Sequence, residues 1–291
     1  VLMQASVSQN LFTQAVNNTG TIRARGIDTS DGKIMLFGSG SSVVNRGTLD
    51  ASGDINGGSV HIEGDKTINI GTVLADGGFG QGGDIKILGD VVEVSGDSTV
   101  SAQGHSGGGE ILIGGDYKGG NTDVRNAITT TIGVDAQILA AARKDGNGGK
   151  VIVWANEDAY FYGFIDASSG LFGGDGGFIE TSGKVNLTVR GEVVAKSHAG
   201  GKAGMWLLDP GDFIIDDSID DVIWDNDVVG GEATDIKSDV SDQNVKNGVS
   251  SGFIEYILNN GTSVSIHVES DVQTTVSGVS DTQVTGMDNT G

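Results

Sequence analysis

Two glycines, one free position and then an alternating strand recur along this chain: "GGSVHI" at 57, "GGDIKI" at 82, "GGEILI" at 108, "GGKVIV" at 148 and "GGFIET" at 176. Most gaps between these anchors are 25 to 28 residues, and a single gap of 40 contains the extra segment "GGDYKGGNTDVRNA", residues 114 to 127. A fixed period of this length is the mark of a repeat architecture, in which no unit buries its apolar face alone. Each period divides into three short strands. In the first, Val60/Ile62, Ile85/Ile87, Ile111/Ile113, Val151/Val153 and Ile179/Thr181 alternate with His61, Lys86, Leu112, Ile152 and Glu180. Alternation of this kind marks a half-buried strand. The second strand offers Ile68/Ile70, Val92/Val94, Ala159/Phe161 and Leu187/Val189 as its inward pairs.

The third strand is the most regular. Its pairs are Ile22/Ala24, Leu49/Ala51, Val73/Ala75, Val100/Ala102, Ile138/Ala140, Ile165/Ala167 and Val193/Ala195, so a methyl-sized side chain occupies one slot in every period. A repeated cross-section with a narrow point explains that restriction. A helical solenoid is excluded, because the runs are short and β-branched and glycine between them breaks helices. The expectation is an all-β parallel β-helix with three strands and about 25–28 residues per coil. Seven coils about 4.8 Å apart give a rod on the order of 35 Å long. The double glycines then sit at the corner from the third strand to the first, where positive φ or close backbone approach is needed.

Composition agrees. Fifty glycines with one proline exclude collagen, which needs both. A hydrophobic fraction of 37% in short alternating runs argues against an acidic disordered chain. The absence of Cys removes disulfide frameworks and thiolate metal sites. A net charge of −22 argues against nucleic acid as a partner. No apolar run is long enough to span a membrane, and "VLMQAS" starts as if in mid-strand, so the chain reads as a piece of a longer protein.

From Met205 onward the pattern changes, with 17 acids against 2 lysines. Residues 1–204 are therefore expected to form regular coils interrupted near 114–127. Residues 205–291 are expected to form an acidic, less regular continuation. Within it, "SSGFIEYILNNG" reads as a short helix near 251–259, capped by Ser250 or Ser251 and closed by Asn260-Gly261. "TSVSIHV" then resumes the solenoid through Val264, Ile266 and Val268, and the stretch 277–291 is weakly patterned.

Little of the sequence carries chemistry. His61, His105, His198 and His267 lie far apart, and no carboxylate ladder accompanies them as a β-helix glycosidase or lyase would need. "GGFGQGGDI" at 77 to 85 has Gly82 where a calcium-binding nonapeptide requires Asp. The run "DDSIDDVIWDND", 216–227, offers hard oxygens of the kind Ca²⁺ takes, without EF-hand spacing; a solvated loop is the simpler reading. No catalytic, cofactor or metal residue is assigned. Tyr117, Trp154, Tyr160, Tyr162 and Phe164 cluster near the inserted segment. Trp154, Tyr160 and Tyr162 are candidate ligand-facing aromatics if they point outward, the competing reading being that the insertion folds over them.

Five segments carry a resemblance in conserved order: Gly114 to Gly119, Ile152 to Trp154, Gly176 to Gly183, Trp206 to Pro210, and Ile257 to Ile266. Together they resemble exoproteins of two-partner secretion, of the filamentous-haemagglutinin and high-molecular-weight adhesin type. What the resemblance implies is a right-handed β-helix, exported and passed through a dedicated outer-membrane barrel transporter. It further implies a place at the bacterial cell surface, in attachment or biofilm cohesion, with a host or matrix glycan or protein as ligand. No equivalent of that family's transporter-recognition motifs is read in this sequence, so transporter docking is not assigned to it. The expectation is a monomeric, non-catalytic shaft; the alternatives are a carbohydrate-active β-helix enzyme and the stalk of a contact-dependent toxin.

Overall fold

The computed structural model describes residues 1–6, 14–25, 32–211, 214–215 and 248–267. Three parallel sheets wind around one continuous core, giving a β-solenoid of about seven turns with three strands per coil. The first sheet runs through Leu2–Ser6, Lys33–Ser39, Ser59–Glu63, Asp84–Leu88, Glu110–Ile113, Lys150–Ala155, Phe178–Gly183, Gly204–Leu208 and Thr262–Ile266, each hydrogen-bonded to the next. The second sheet stacks Gln14–Asn18, Ser42–Asn45, Lys66–Asn69, Val91–Val94, Thr129–Ile132, Asp158–Phe161 and Asn186–Val189 in the same way. The third stacks Thr21–Arg23, Thr48–Asp50, Thr72–Leu74, Thr99–Ser101, Gln137–Leu139, Phe164–Asp166 and Glu192–Val194.

Register makes like lie over like. Val60, Ile85, Ile111, Val151 and Ile179 form one file in the first sheet, and Val73, Val100, Ile138, Ile165 and Val193 form another in the third. Just past the second file, Ala51, Ala75, Ala102, Ala140, Ala167 and Ala195 are all completely buried. Their carbonyls explain the glycine pairs. The N–H of Gly83 donates to Ala75 O at 2.7 Å and that of Gly109 to Ala102 O at 2.8 Å, and the same bond closes the corners at Gly149, Gly177 and Gly204. The first glycine of each pair lies under the next coil, where a Cβ on Gly82 would overlap the carbonyl oxygen of Ala102. Gly82 does not have positive φ, so close approach alone imposes glycine there.

One second-strand expectation needs correction. In Lys66–Asn69 the inward residues are Thr67 and Asn69, both fully buried, while Ile68 is half-buried and Ile70 is exposed. Thr67 and Asn69 stand in register under Val92 and Val94. The polar pair wins the interior because each member has a partner. Thr67 Oγ1 donates to Leu88 O at 2.6 Å, and Asn69 continues a buried amide ladder in which Asn18 Nδ2 donates to Asn45 Oδ1 at 2.8 Å and Asn45 Nδ2 to Asn69 Oδ1 at 2.7 Å. Turning either isoleucine inward would break that ladder. Asn45→Ala is expected to lower the unfolding free energy by about 2–3 kcal/mol, because it strands an amide on each side; urea titration monitored by circular dichroism reads this.

After the last third-sheet strand, Gly204–Leu208 is a first-sheet strand whose Met205–Leu208 stand in register with Phe178–Thr181. The helix Ser251–Asn259 is present, with Ser250 as N-cap accepting from Phe253 N–H at 3.0 Å and Gly261 at φ 80° just beyond its end. It closes the end of the core. Ile254 and Ile257 join the central cluster, and Phe253 meets the Trp206 ring edge-on at 6.0 Å. Thr262–Ile266 then rejoins the first sheet, with Val264 and Ile266 against the same cluster. The acidic run 216–227, Val268 and residues 277–291 lie outside the described residues. No described helix is long and apolar enough to cross a membrane.

Candidate functional site

The outer face of the first sheet is where the regular coil is interrupted. The inserted segment 114–127 leaves the Glu110–Ile113 strand and folds back over its neighbours as a strap. Beneath it a second apolar cluster, separate from the core, contains Leu88, Leu112, Val124, Ile152 and Trp154. Trp154 is 4% exposed. Gly115 and Gly119 lie flush against its indole, and Gly119, at φ 60°, has no room there for a side chain. The indole N–H donates to Asn156 Oδ1 at 3.1 Å. Trp154 is therefore not a ligand-facing aromatic: the strap claims its face.

Charged groups anchor the strap at both ends. Toward the N-terminal coils, Arg125 pairs with Asp90 at 2.7 Å, Asp65 at 3.6 Å and Glu63 at 3.7 Å, and Nη1 donates to Gly64 O at 3.3 Å. In the middle, Lys150 bridges Glu110 and Asp116, each at 2.9 Å. Burial acts to raise the Asp116 carboxyl, but hydrogen bonds from Asn121, Lys150 and the Tyr117 N–H together hold it down at about 2. Toward the C-terminal coils, Lys118 adopts a left-handed backbone, φ 52°, uncommon for a residue other than glycine. That conformation aims the Lys118 N–H at both carboxylate oxygens of Glu180, 3.2 Å away, while its Nζ reaches Asp209 at 3.1 Å. Strands from Ser59–Glu63 to Gly204–Leu208 are thus tied by one segment, a span of about 24 Å at five inter-strand steps.

Glu180, Asp209 and His267 form the group at that end. Nδ1 of His267 lies 2.7 Å from Asp209 Oδ1. The Asp209 N–H donates to Ser182 Oγ at 3.2 Å. Burial pushes the fully enclosed Glu180 carboxyl up to about 7, against the opposing hydrogen bonds from Ser182 and Lys118, and the Asp209 carboxylate adds to the rise. The folded state therefore binds a proton that the unfolded chain has lost. This contribution to stability is complete below the ordinary value of 4.5 and is lost as pH rises to about 7. Glu180→Gln is expected to flatten that slope and to be more stable than the parent above neutrality, by at most about 3 kcal/mol. Denaturant midpoints of the two proteins at pH 4.5, 6 and 8 check the prediction.

Tyr160 and Tyr162 stand on the outer side of the second sheet, half-buried, with near-parallel rings 6.5 Å apart. Neither belongs to the cluster under the strap. His61 points outward, as its register requires, and pairs with Glu63 at 3.0 Å; His105 and His198 are in corner loops. Among the described residues no group of three His, Asp or Glu is arranged to hold a metal. Sequence reasoning missed the meeting of Lys118, Glu180, Asp209 and His267. It had marked Gly114 to Gly119, Ile152 to Trp154, Gly176 to Gly183, Trp206 to Pro210 and Ile257 to Ile266 without placing them together. Four of them meet at the strap, where Gly115 and Gly119 lie on Trp154 and Lys118 reaches Glu180 and Asp209, whereas Ile257 to Ile266 packs against the core.

Fold and site together define the class as a strapped parallel β-solenoid. No protein-family model matches the chain, and a search of curated proteins also returned no match.

Proposed function

We propose that this chain is a rigid shaft segment of a large exported bacterial surface protein of the two-partner-secretion type, acting in attachment or cohesion. The observation that carries the reading is the convergence just described. Four of the five sequence segments chosen for their resemblance to that class contribute to one structural device, a strap with Gly115 and Gly119 on Trp154 and with Lys118 tied to Glu180 and Asp209; the fifth, Ile257 to Ile266, packs against the core instead. A strap tied across six first-sheet strands resists bending and shear between coils, which suits a spacer that holds recognition elements away from a cell. The enclosed Glu180 carboxyl serves anchoring, since a group 0% exposed cannot touch a substrate. Of the candidate ligand-facing aromatics, Tyr160 and Tyr162 remain half-exposed for a host or matrix ligand, and Tyr117 of the same aromatic set is 47% exposed on the strap.

The test is made on the producing cell. Deleting residues 32–208 from the parent protein should abolish attachment while leaving export intact, and an unrelated β-solenoid of equal length should restore reach. Undiminished attachment after the deletion would refute the shaft. Shortened products from neutral or acidic glycans incubated with the purified chain would instead favour the enzymatic alternative.

A further inference from the structure

We propose that the row of corner loops joining the third sheet to the first is a self-association surface on which a second copy of this chain lies antiparallel. The loops are 52–57, 76–82, 103–108, 141–148, 168–176 and 196–203, and backbone bonds align them. Phe79 N–H donates to Asp54 O at 3.0 Å, Ser106 N–H to Gly80 O at 3.0 Å, Lys144 N–H to His105 O at 3.1 Å and Phe172 N–H to Lys144 O at 2.8 Å. The sixth loop joins through His198 N–H, which donates to Ser169 Oγ at 3.0 Å. Along this edge Ile55 is 53% exposed, Phe79 74%, Leu171 60% and Phe172 71%. Large apolar side chains gathered on one edge of an otherwise acidic rod mark an interaction surface.

The order of residues along the edge selects the occupant. The first loop carries Asp54 and no cation; the sixth carries Lys196 and Lys202 and no acid. All three are exposed, and none enters an ion pair among the described residues. The most exposed apolar tips fall on the second loop, with Phe79, and the fifth, with Leu171 and Phe172, while the less exposed Ile55 lies in the first. Turning a second copy end over end about an axis between the third and fourth loops places first on sixth and second on fifth. Phe79 then meets Leu171 and Phe172, and Asp54 meets the two lysines. Two-fold symmetry makes each contact twice. A parallel copy in register would instead set Asp54 on Asp54 and lysine on lysine, in molecules already at −22 each. The strip is about 24 Å long at the inter-strand spacing and one loop wide. It falls short of the roughly 800 Å² per partner of a standard interface, so a single contact is weak. Arrays of copies on facing surfaces would multiply it. This inference rests on the corner loops and not on the proposed export or attachment, and it departs from the expectation of a solitary shaft.

Sedimentation of the purified chain from micromolar to millimolar concentration, at low salt, tests it. A monomer–dimer equilibrium is expected, weakened about tenfold or more by Phe79→Ser with Phe172→Ser. Asp54→Lys alone should weaken it, and adding Lys196→Asp and Lys202→Asp should restore it; circular dichroism confirms that each variant is folded. Because the chain has no cysteine, a mixture of Asn56→Cys and His198→Cys proteins should cross-link to each other in preference to themselves. A parent that stays monomeric throughout, a serine pair that dimerises as well as the parent, a folded charge reversal that fails to recover, or preferential self-cross-linking would each overturn the proposal.

Discussion

Trp206→Ala is expected to cost about 3–5 kcal/mol, the range for emptying a fully buried aromatic site, and to do so at one end of the molecule only. The indole is 0% exposed, its N–H donates to Thr181 Oγ1 at 3.0 Å, and its face receives Phe253 from the closing helix. Removing it leaves a cavity and an unpaired hydroxyl, and it undocks the helix that covers the core. Solenoid stability is a sum of coils and nearest-neighbour interfaces, so the coils before Gly148 should keep their protection. Hydrogen exchange followed by mass spectrometry should show faster exchange over residues 178–208 and 248–266 and no change over 59–113. Uniform loss along the rod would mean that the coils are not energetically separable.

The second large effect concerns the narrow corner. Ala102→Leu should destabilise by about 3 kcal/mol or more, the upper range for overpacking a tight core. Ala102 has no exposed surface and lies in the file that includes Ala75 and Ala140, while its own N–H and carbonyl are fixed by bonds to Leu139 O and from Gly109 N–H, both 2.8 Å. The backbone cannot retreat without breaking both corners. Lys86→Leu, at an outward position of the first sheet, is the control and should change stability by less than about 0.5 kcal/mol. Thermal or urea unfolding of the two variants separates a tight file from a tolerant one.

These two sites also show where the sequence was readable. The alanine file and the glycine corners could be located because sterics permit one residue size in each slot, and repetition shows the restriction many times over. The pair Ile68/Ile70 misled because hydrophobicity was the only criterion applied, whereas a buried amide ladder admits Asn69 and rejects an isoleucine. Trp154 misled for a different reason. Where a strap lies down is a tertiary fact that no period encodes. A signal was nevertheless present: "EILI" and "KVIVWA" are apolar at consecutive positions, the pattern of strands covered on both faces. Glu180 gave no such sign, since an outward carboxylate in an alternating strand reads as solvated until the Lys118 N–H is placed over it.

The claim beneath all of this is that successive coils sit directly over one another at the spacing of hydrogen-bonded strands. Spin labels test it, since the chain has no native cysteine to remove. Ser42, Thr129, Asp158 and Asn186 belong to one register column of the second sheet, with Thr129 three coils from Ser42, Asp158 four and Asn186 five. Paired cysteine labels at Ser42 with each of the others should give backbone separations near 14, 19 and 24 Å, rising by about 4.8 Å per coil. Separations that fail to increase by one strand spacing at each step would contradict the stacked-coil account.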